Sequence, residues 1–351
     1  MHRLTPLCRV LLLTLLTSVV IPAGLPAKDR LVLQPRKNAS PLVLACDIVD
    51  YTAQTISVHI NIQSEVRHFP AAEITSVEAV QTEPHRQGVQ QFLEGRISEA
   101  VPLFEQALVD EPREWVRREI RGWLVRCAVR RGDAAAAGSR FLEIVERERA
   151  PREYPLIPLV WGTVELGTSL RRQAREWLTG ETDVHRLLGA SVLLLDTSYA
   201  DITANELRRL SRSTDRRVSS LARTQLWRLR VTGADVTANE LAEWEREIES
   251  LPRELRAGPY YVLGRASFRR NEYDRAAAAY LWLTTVYGEN EPLTAQATLE
   301  AARSLERLGR TAEARALLVE VTARFDWSIP AAEARLLLNQ LPRSQDTQRD
   351  G

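Results

Sequence analysis

The sequence predicts a mainly α-helical protein, an α-solenoid of helical hairpins preceded by a small all-β module. Three observations predict it. From Pro84 onward, apolar residues recur three and four apart in a background rich in Ala, Leu, Glu and Arg, the pattern of amphipathic helices. Breakers punctuate that region at Gly95, Gly132, Pro151, Gly180, Gly233, Pro252, Gly288, Gly309 and Pro330, so each stretch between them is one helix or one hairpin. Residues 30–80 read differently, as short runs of β-branched residues. Many hairpins in series without strands between them stack into a solenoid, each packing on its neighbours.

Residues 1–27 read as a secretory signal peptide. Arg3 and Arg9 make a basic start, an apolar run follows from Val10 to Ile21, and Pro22 to Ala27 supply small residues suited to cleavage. The run is short for a hydrocarbon core about 30 Å thick, although an uncleaved anchor is the competing reading. The expected mature protein begins near Lys28 and is periplasmic or extracellular, with at most peripheral contact with the membrane. Export would carry Cys46 and Cys127 into an oxidising compartment, where both a disulfide and two isolated buried thiols are open outcomes.

The β module spans residues 28–80. Leu31–Leu33, Leu42–Leu44, Ile56–Ile62 and Ile74–Val77 are its strand candidates, and Thr55–Ile62 alternates apolar and polar as a half-buried strand does. Asp50–Gln54 is expected to turn between strands, and Pro70–Glu73 to make a short helical turn before the last one. Such a set suggests an SH3-like curled sheet, near the lower size limit for independent stability. The change of composition between Val80 and Pro84 suggests a separable module joined there to the helices.

Hairpins at both ends of the helical region resemble tetratricopeptide repeats (TPR). That pattern, about 34 residues long, places small residues where two helices touch and an aromatic in the gap to the next hairpin. Counted from Gln81, Gly88 falls at position 8, Ala100 at 20, Phe104 at 24, Ala107 at 27 and Pro112 at 32. A unit from Ala257 gives Gly264, Ala276 and Tyr280, and one from Ala295 gives Ala302, Ala314 and Leu318. A unit from Arg118 keeps Gly132, Ala137 and Phe141 but has Val125 and Ile144 where small residues belong. The resemblance implies N-terminal hairpins over 81–150, a C-terminal tandem over 257–341 and a disordered tail at 342–351. The tandem looks like the TPR regions of periplasmic proteins of the Tol–Pal and outer-membrane assembly type. Residues 151–256 follow the pattern poorly. There Asp183, Ala190 and Leu194 recur as Asp215, Ala222 and Leu226, weakly like HEAT or armadillo hairpins or like generic amphipathic pairs.

Chemistry is conspicuous by its absence from the motifs. The sequence holds no phosphate-binding glycine loop, nucleophile elbow or zinc-protease motif, so no catalytic residue, metal ligand or cofactor is expected. His59 and His68 could face each other across strands but would need further ligands to hold a metal. Glu143, Glu146 and Glu148, and Glu243 to Glu249, fit solvated helix faces paired with arginines. Trp123, Trp227, Trp244 and Trp282 sit at core spacing. The net charge of +1 excludes the basic excess usual in nucleic-acid binders.

These readings converge on a non-enzymatic scaffold that binds other proteins, with no small-molecule substrate. A wall- or polysaccharide-associated protein binding through the β module is the alternative. The TPR resemblance carries a site with it, the concave face formed by the first helix of each unit. It implies a groove of Tyr261, Arg265, Phe268 and Arg269 from one unit and Leu299, Arg303, Glu306 and Arg307 from the next. Arginines facing one concavity would hold an acidic segment or a terminal carboxylate, because guanidinium pairs with carboxylate in two hydrogen bonds.

Overall fold

Burial in the β module follows the alternation of its sequence. The computed structural model describes residues 28–34, 42–60, 65–233 and 235–341. The signal peptide read at 1–27 and the tail at 342–351 lie outside the described residues. Leu31 and Leu33 of β1 (Asp29–Leu33), Cys46 and Ile48 of β2 (Leu42–Tyr51) and Ile56 and Val58 of β3 (Thr55–His59) all point inward. With β4 (Arg67–Pro70) and β5 (Ile74–Glu78) they form one antiparallel sheet in the order β4-β3-β2-β1-β5. Irregularities between Val32 and Leu33 and between Ile48 and Asp50 bend it. A single 3-10 turn, Ala71–Glu73, leads into β5 as expected. The first turn differs from expectation, because β2 runs on through Asp50 and Tyr51 and the chain reverses only after Thr52. There the Thr52 hydroxyl accepts from the backbone N–H of Thr55 at 3.1 Å. The register opposes Ser57 to His68 and Asp47 to His59, so the two histidines do not face each other.

The module shares its core with the first helices. Its inward side chains share one apolar cluster with α1 (Glu83–Leu93), α2 (Ile97–Asp110) and α3 (Glu114–Arg130). The Trp115 indole N–H donates to the Ile48 carbonyl at 3.0 Å. Buried Asp29 accepts from the Val80 N–H at 2.8 Å and from the Arg113 guanidinium at 3.1 Å. Cys46 and Cys127 lie in this cluster as free buried thiols, and burial pushes their pKa values up to about 11 and about 12.

Helices fill the rest of the chain. After α4 (Ala134–Arg147) come α5 (Thr168–Leu178), α6 (Asp183–Leu193), α7 (Ala200–Leu210), α8 (Arg216–Gly233) and α9 (Ala238–Ser250). The C-terminal part holds α10 (Ala257–Arg269), α11 (Tyr273–Thr285), α12 (Glu291–Arg307), α13 (Thr311–Arg324) and α14 (Ile329–Gln340). None of the described helices is long and apolar enough to cross a membrane.

The hairpins of the two ends share one turn. Gly95, Gly132, Asn271 and Gly309 all have positive φ, and no other described residue does. Each is the fifteenth residue counted from Gln81, Arg118, Ala257 or Ala295. The left-handed conformation there lets the second helix fold straight back on the first, which is why glycine or asparagine occupies it. The helices then touch through small residues, since a Cβ on Gly88 would come within 2.9 Å of the Phe104 ring and one on Gly264 within 2.7 Å of Tyr280. The degenerate unit from Arg118 keeps the turn, whereas the hairpins between 151 and 256 do not.

One apolar core runs from Val125 to Ala301. Trp177, Trp227 and Trp244 are buried in it, whereas Trp282, read as a core residue, is 43% exposed and stacks on Tyr260 at 5.6 Å. The acidic runs pair partly with arginines of other helices rather than their own, as Glu245 does with Arg275 at 2.7 Å. The array curls until α3 meets α12. Arg130 closes the contact, 3.4 Å from Glu291 and stacked over the rings of Phe92 at 5.3 Å and Trp327 at 4.7 Å.

Candidate interaction groove

Inside the curl lies a segment of the chain itself. Between α4 and α5, residues 148–167 carry only one short 3-10 turn, Tyr154–Leu156, and run as an extended strap along the concave side. Its apolar residues make it stay there: Tyr154, Ile157, Leu159 and Trp161 are each at most 8% exposed. Burying four such side chains is worth roughly 1.5–3 kcal/mol apiece, enough to hold an irregular segment in place.

An extended backbone brings unpaired polar groups into the core, and α6 and α8 supply partners for them. The Val160 N–H donates to the Ser191 hydroxyl at 2.9 Å. The Gln225 side-chain amide donates to the Val160 carbonyl at 3.1 Å, and Arg228 donates to the Gly162 carbonyl at 3.1 Å. The three holders also join one another: Arg228 donates to the Ser191 carbonyl at 2.7 Å and to the Gln225 side-chain oxygen at 2.8 Å. From α10, Gly258 leaves room for the Trp161 indole, which a Cβ there would strike.

Arg228 is the unusual member. It is 2% exposed, bonds only to neutral carbonyl oxygens, and has its Nε buried without a partner. Burial, together with the positive charge of Arg265, pushes its pKa down to about 9, still cationic at neutral pH.

Beside the strap a cavity of about 440 Å³ opens between α3–α4 and α10–α12. Tyr261, Arg265, Gln296 and Glu300 line it from the helices, and Thr163 and Val164 from the strap. Of the residues expected to form a groove, Tyr261 and Arg265 therefore do come together on a cavity wall. Burial pushes the Tyr261 pKa up to about 12, with Arg265 and Arg303 opposing and Glu300 reinforcing the shift. Arg265 is half-buried and makes no ion pair or hydrogen bond among the described residues. Arg303 is already engaged by Glu300 at 2.9 Å and by Glu333. Leu299 is fully buried against Leu318 and Ala331, so it contributes packing and no surface. Phe268 is half-buried, with its ring edge-on to Tyr273 at 5.2 Å. Arg269 is exposed and lines a separate hollow with Arg270 and Asp235, and Arg307 and Glu306 are exposed at the end of α12.

Sequence reasoning missed Ser191, Gln225, Arg228 and Trp161. One signal was present: Val218, Leu221, Gln225 and Arg228 recur at helical spacing, which puts two polar residues on the buried stripe of α8. Polar groups at core positions require partners, and here the partner is main chain of the strap, Val160 lying 65 residues before Gln225 and Gly162 lying 66 before Arg228.

Searches of curated proteins and of solved structures return no match to this chain. Residues 261–330, from α10 into the first turn of α14, match the family model described as tetratricopeptide repeat, which supports the tetratricopeptide family for the C-terminal hairpins and, with it, a protein-binding scaffold.

Proposed function

We propose that the protein is an exported, non-enzymatic scaffold that binds an acidic segment of a cell-envelope protein along the wall formed by Tyr261 and Arg265. The observation that carries the reading is Arg265, a half-buried cation on a cavity of about 440 Å³ with no anionic partner among the described residues and with a second uncompensated cation, Arg228, behind the strap. Two such charges favour a carboxylate, and Tyr261 adds an aromatic wall to the contact. The strap narrows the reading further. It fills the concavity along α6 and α8, so a partner has only the stretch beside α10 and α12. Export rests on the basic, apolar and small-residue order of 1–27.

The test is a photo-crosslinking residue at Gln296 in the full-length protein within cells, which captures the partner for identification. Arg265→Glu is expected to weaken that crosslink by about tenfold, the loss of one charge-assisted contact. An unchanged crosslink in a folded Arg265→Glu protein would sink the reading.

A further inference from the structure

A second cavity of about 410 Å³, also lined by the strap, lies where the N-terminal and C-terminal hairpins meet. Its walls come from six separate parts of the chain, and their apolar lining includes Phe92, Val125, Ile157, Trp161, Leu221 and Leu293. Volume and lining are those of a small-molecule site, about 300–1,000 Å³ and apolar with a few polar groups. The rim is different in kind. Arg126, Arg130 and Arg253 stand there with Glu254, Glu289 and Glu291, three cations against three anions.

Two of these rim groups are poorly served by the protein. Arg126 has its nearest carboxylate, Glu289, at 4.0 Å, and that glutamate is 73% exposed. Arg126 keeps 32% of its side chain exposed, and burial still lowers its pKa against the opposing pull of Glu289 and Glu291. Glu291, 37% exposed at its side chain, pairs one buried carboxylate oxygen with Arg130 at 3.4 Å, and that oxygen takes no hydrogen bond. An unbonded buried oxygen calls for a donor and an underserved guanidinium for an acceptor.

We propose that this cavity binds a single-chain amphiphile with an uncharged, hydroxyl-bearing head: the aliphatic body lies among Val125, Trp161, Leu221 and Leu293, one head oxygen accepts from Arg126, and one hydroxyl donates to Glu291. The balanced rim selects against a charged head, because either sign meets a like charge as well as an opposite one. The site is distinct from the Arg265 wall and shares with it only Val129, Pro158, Trp161 and the start of α12.

The experiment uses the full-length protein and monodecanoyl glycerol, kept below its own aggregation concentration. Binding is followed by tryptophan fluorescence, and its stoichiometry by native mass spectrometry. One saturable site is expected, with decanoate and decyltrimethylammonium weaker by about tenfold or more. Ala257→Phe, which fills the cavity from a half-buried position on its wall, is expected to abolish binding. Arg126→Gln tests the head independently and is expected to weaken the glyceride about fivefold to tenfold with the circular dichroism spectrum unchanged. The proposal is overturned by the absence of saturable glyceride binding, by equal binding of the charged amphiphiles, or by Arg126→Gln and a folded Ala257→Phe protein binding as the parent does.

Discussion

A histidine shows how one side chain adds to the acid sensitivity of the fold. His85, in the first turn of α1, is fully buried, with its ring edge-on to Phe104 at 6.3 Å and both ring nitrogens lacking a hydrogen-bond partner. Burial pushes its pKa down to about 4, against the upward pull of Glu111 and with the help of Arg113. The folded chain therefore keeps His85 neutral to about pH 4, while the unfolded chain takes up a proton near the ordinary value of 6.5. Above 6.5 both states are neutral and the group has no effect. As pH falls from 6.5 to 4 the unfolded state gains the proton, and stability drops by up to ~3 kcal/mol. His85→Phe should shrink the difference between urea midpoints measured at pH 7 and pH 4.5. An equal difference in both proteins would show that other groups carry the acid sensitivity. His85 could be named from the sequence only as one of several scattered histidines. What makes it special is the cluster of β-module and helix side chains around it, which no local pattern specifies.

At the scale of elements, the sequence was most legible where spacing alone dictates packing. Gly88 with Phe104 and Gly264 with Tyr280 are local pairs, and the positions that reveal them are the positions that touch. The strap was not legible, because residues 148–167 look like a linker: Pro151, Pro155, Pro158, Gly162 and Gly167 break every periodicity. Its structure comes from contacts with α6, α8 and α10 that lie far along the chain. The middle hairpins lack the small-residue positions of the ends. The strap supplies that missing packing. Hydrogen exchange is accordingly expected to show α6 and α8 protected to the same level as α10 and α12, with fast exchange confined to residues near 163–167, where the strap leaves the core. Protection in α6 and α8 far below that of α12 would show that the strap adds no stability. Of the expected groove residues, Arg265 and Tyr261 share a cavity wall, whereas Leu299 turned inward because α13 and α14 close over it.

For the whole molecule, the docked β module and the strap turn a chain of repeats into one body. The joint between Val80 and Pro84 is covered by Arg113, whose guanidinium reaches Asp29 and the Val80 carbonyl. Limited proteolysis of the parent protein should leave 78–86 uncut, and Trp115→Ala, which removes the bond to Ile48 and a core side chain worth ~3–5 kcal/mol, should open it to cleavage. Cutting at the joint in the parent at low protease would contradict the shared core. The strap has one more consequence, for the order in which the protein can be assembled. A plain solenoid can mature hairpin by hairpin as the chain emerges, each repeat needing only its neighbour. Here Trp161 emerges long before Gly258, and Val160 waits for Gln225, 65 residues later. Until α10 has been synthesised, the N-terminal half carries an unsheltered indole and unpaired main-chain groups on a nascent chain. A C-terminal truncation before α10 would therefore produce a sticky intermediate arrested for good rather than a shorter array, and the full-length chain would complete its slowest step only after α10, the last contact the strap requires, has emerged.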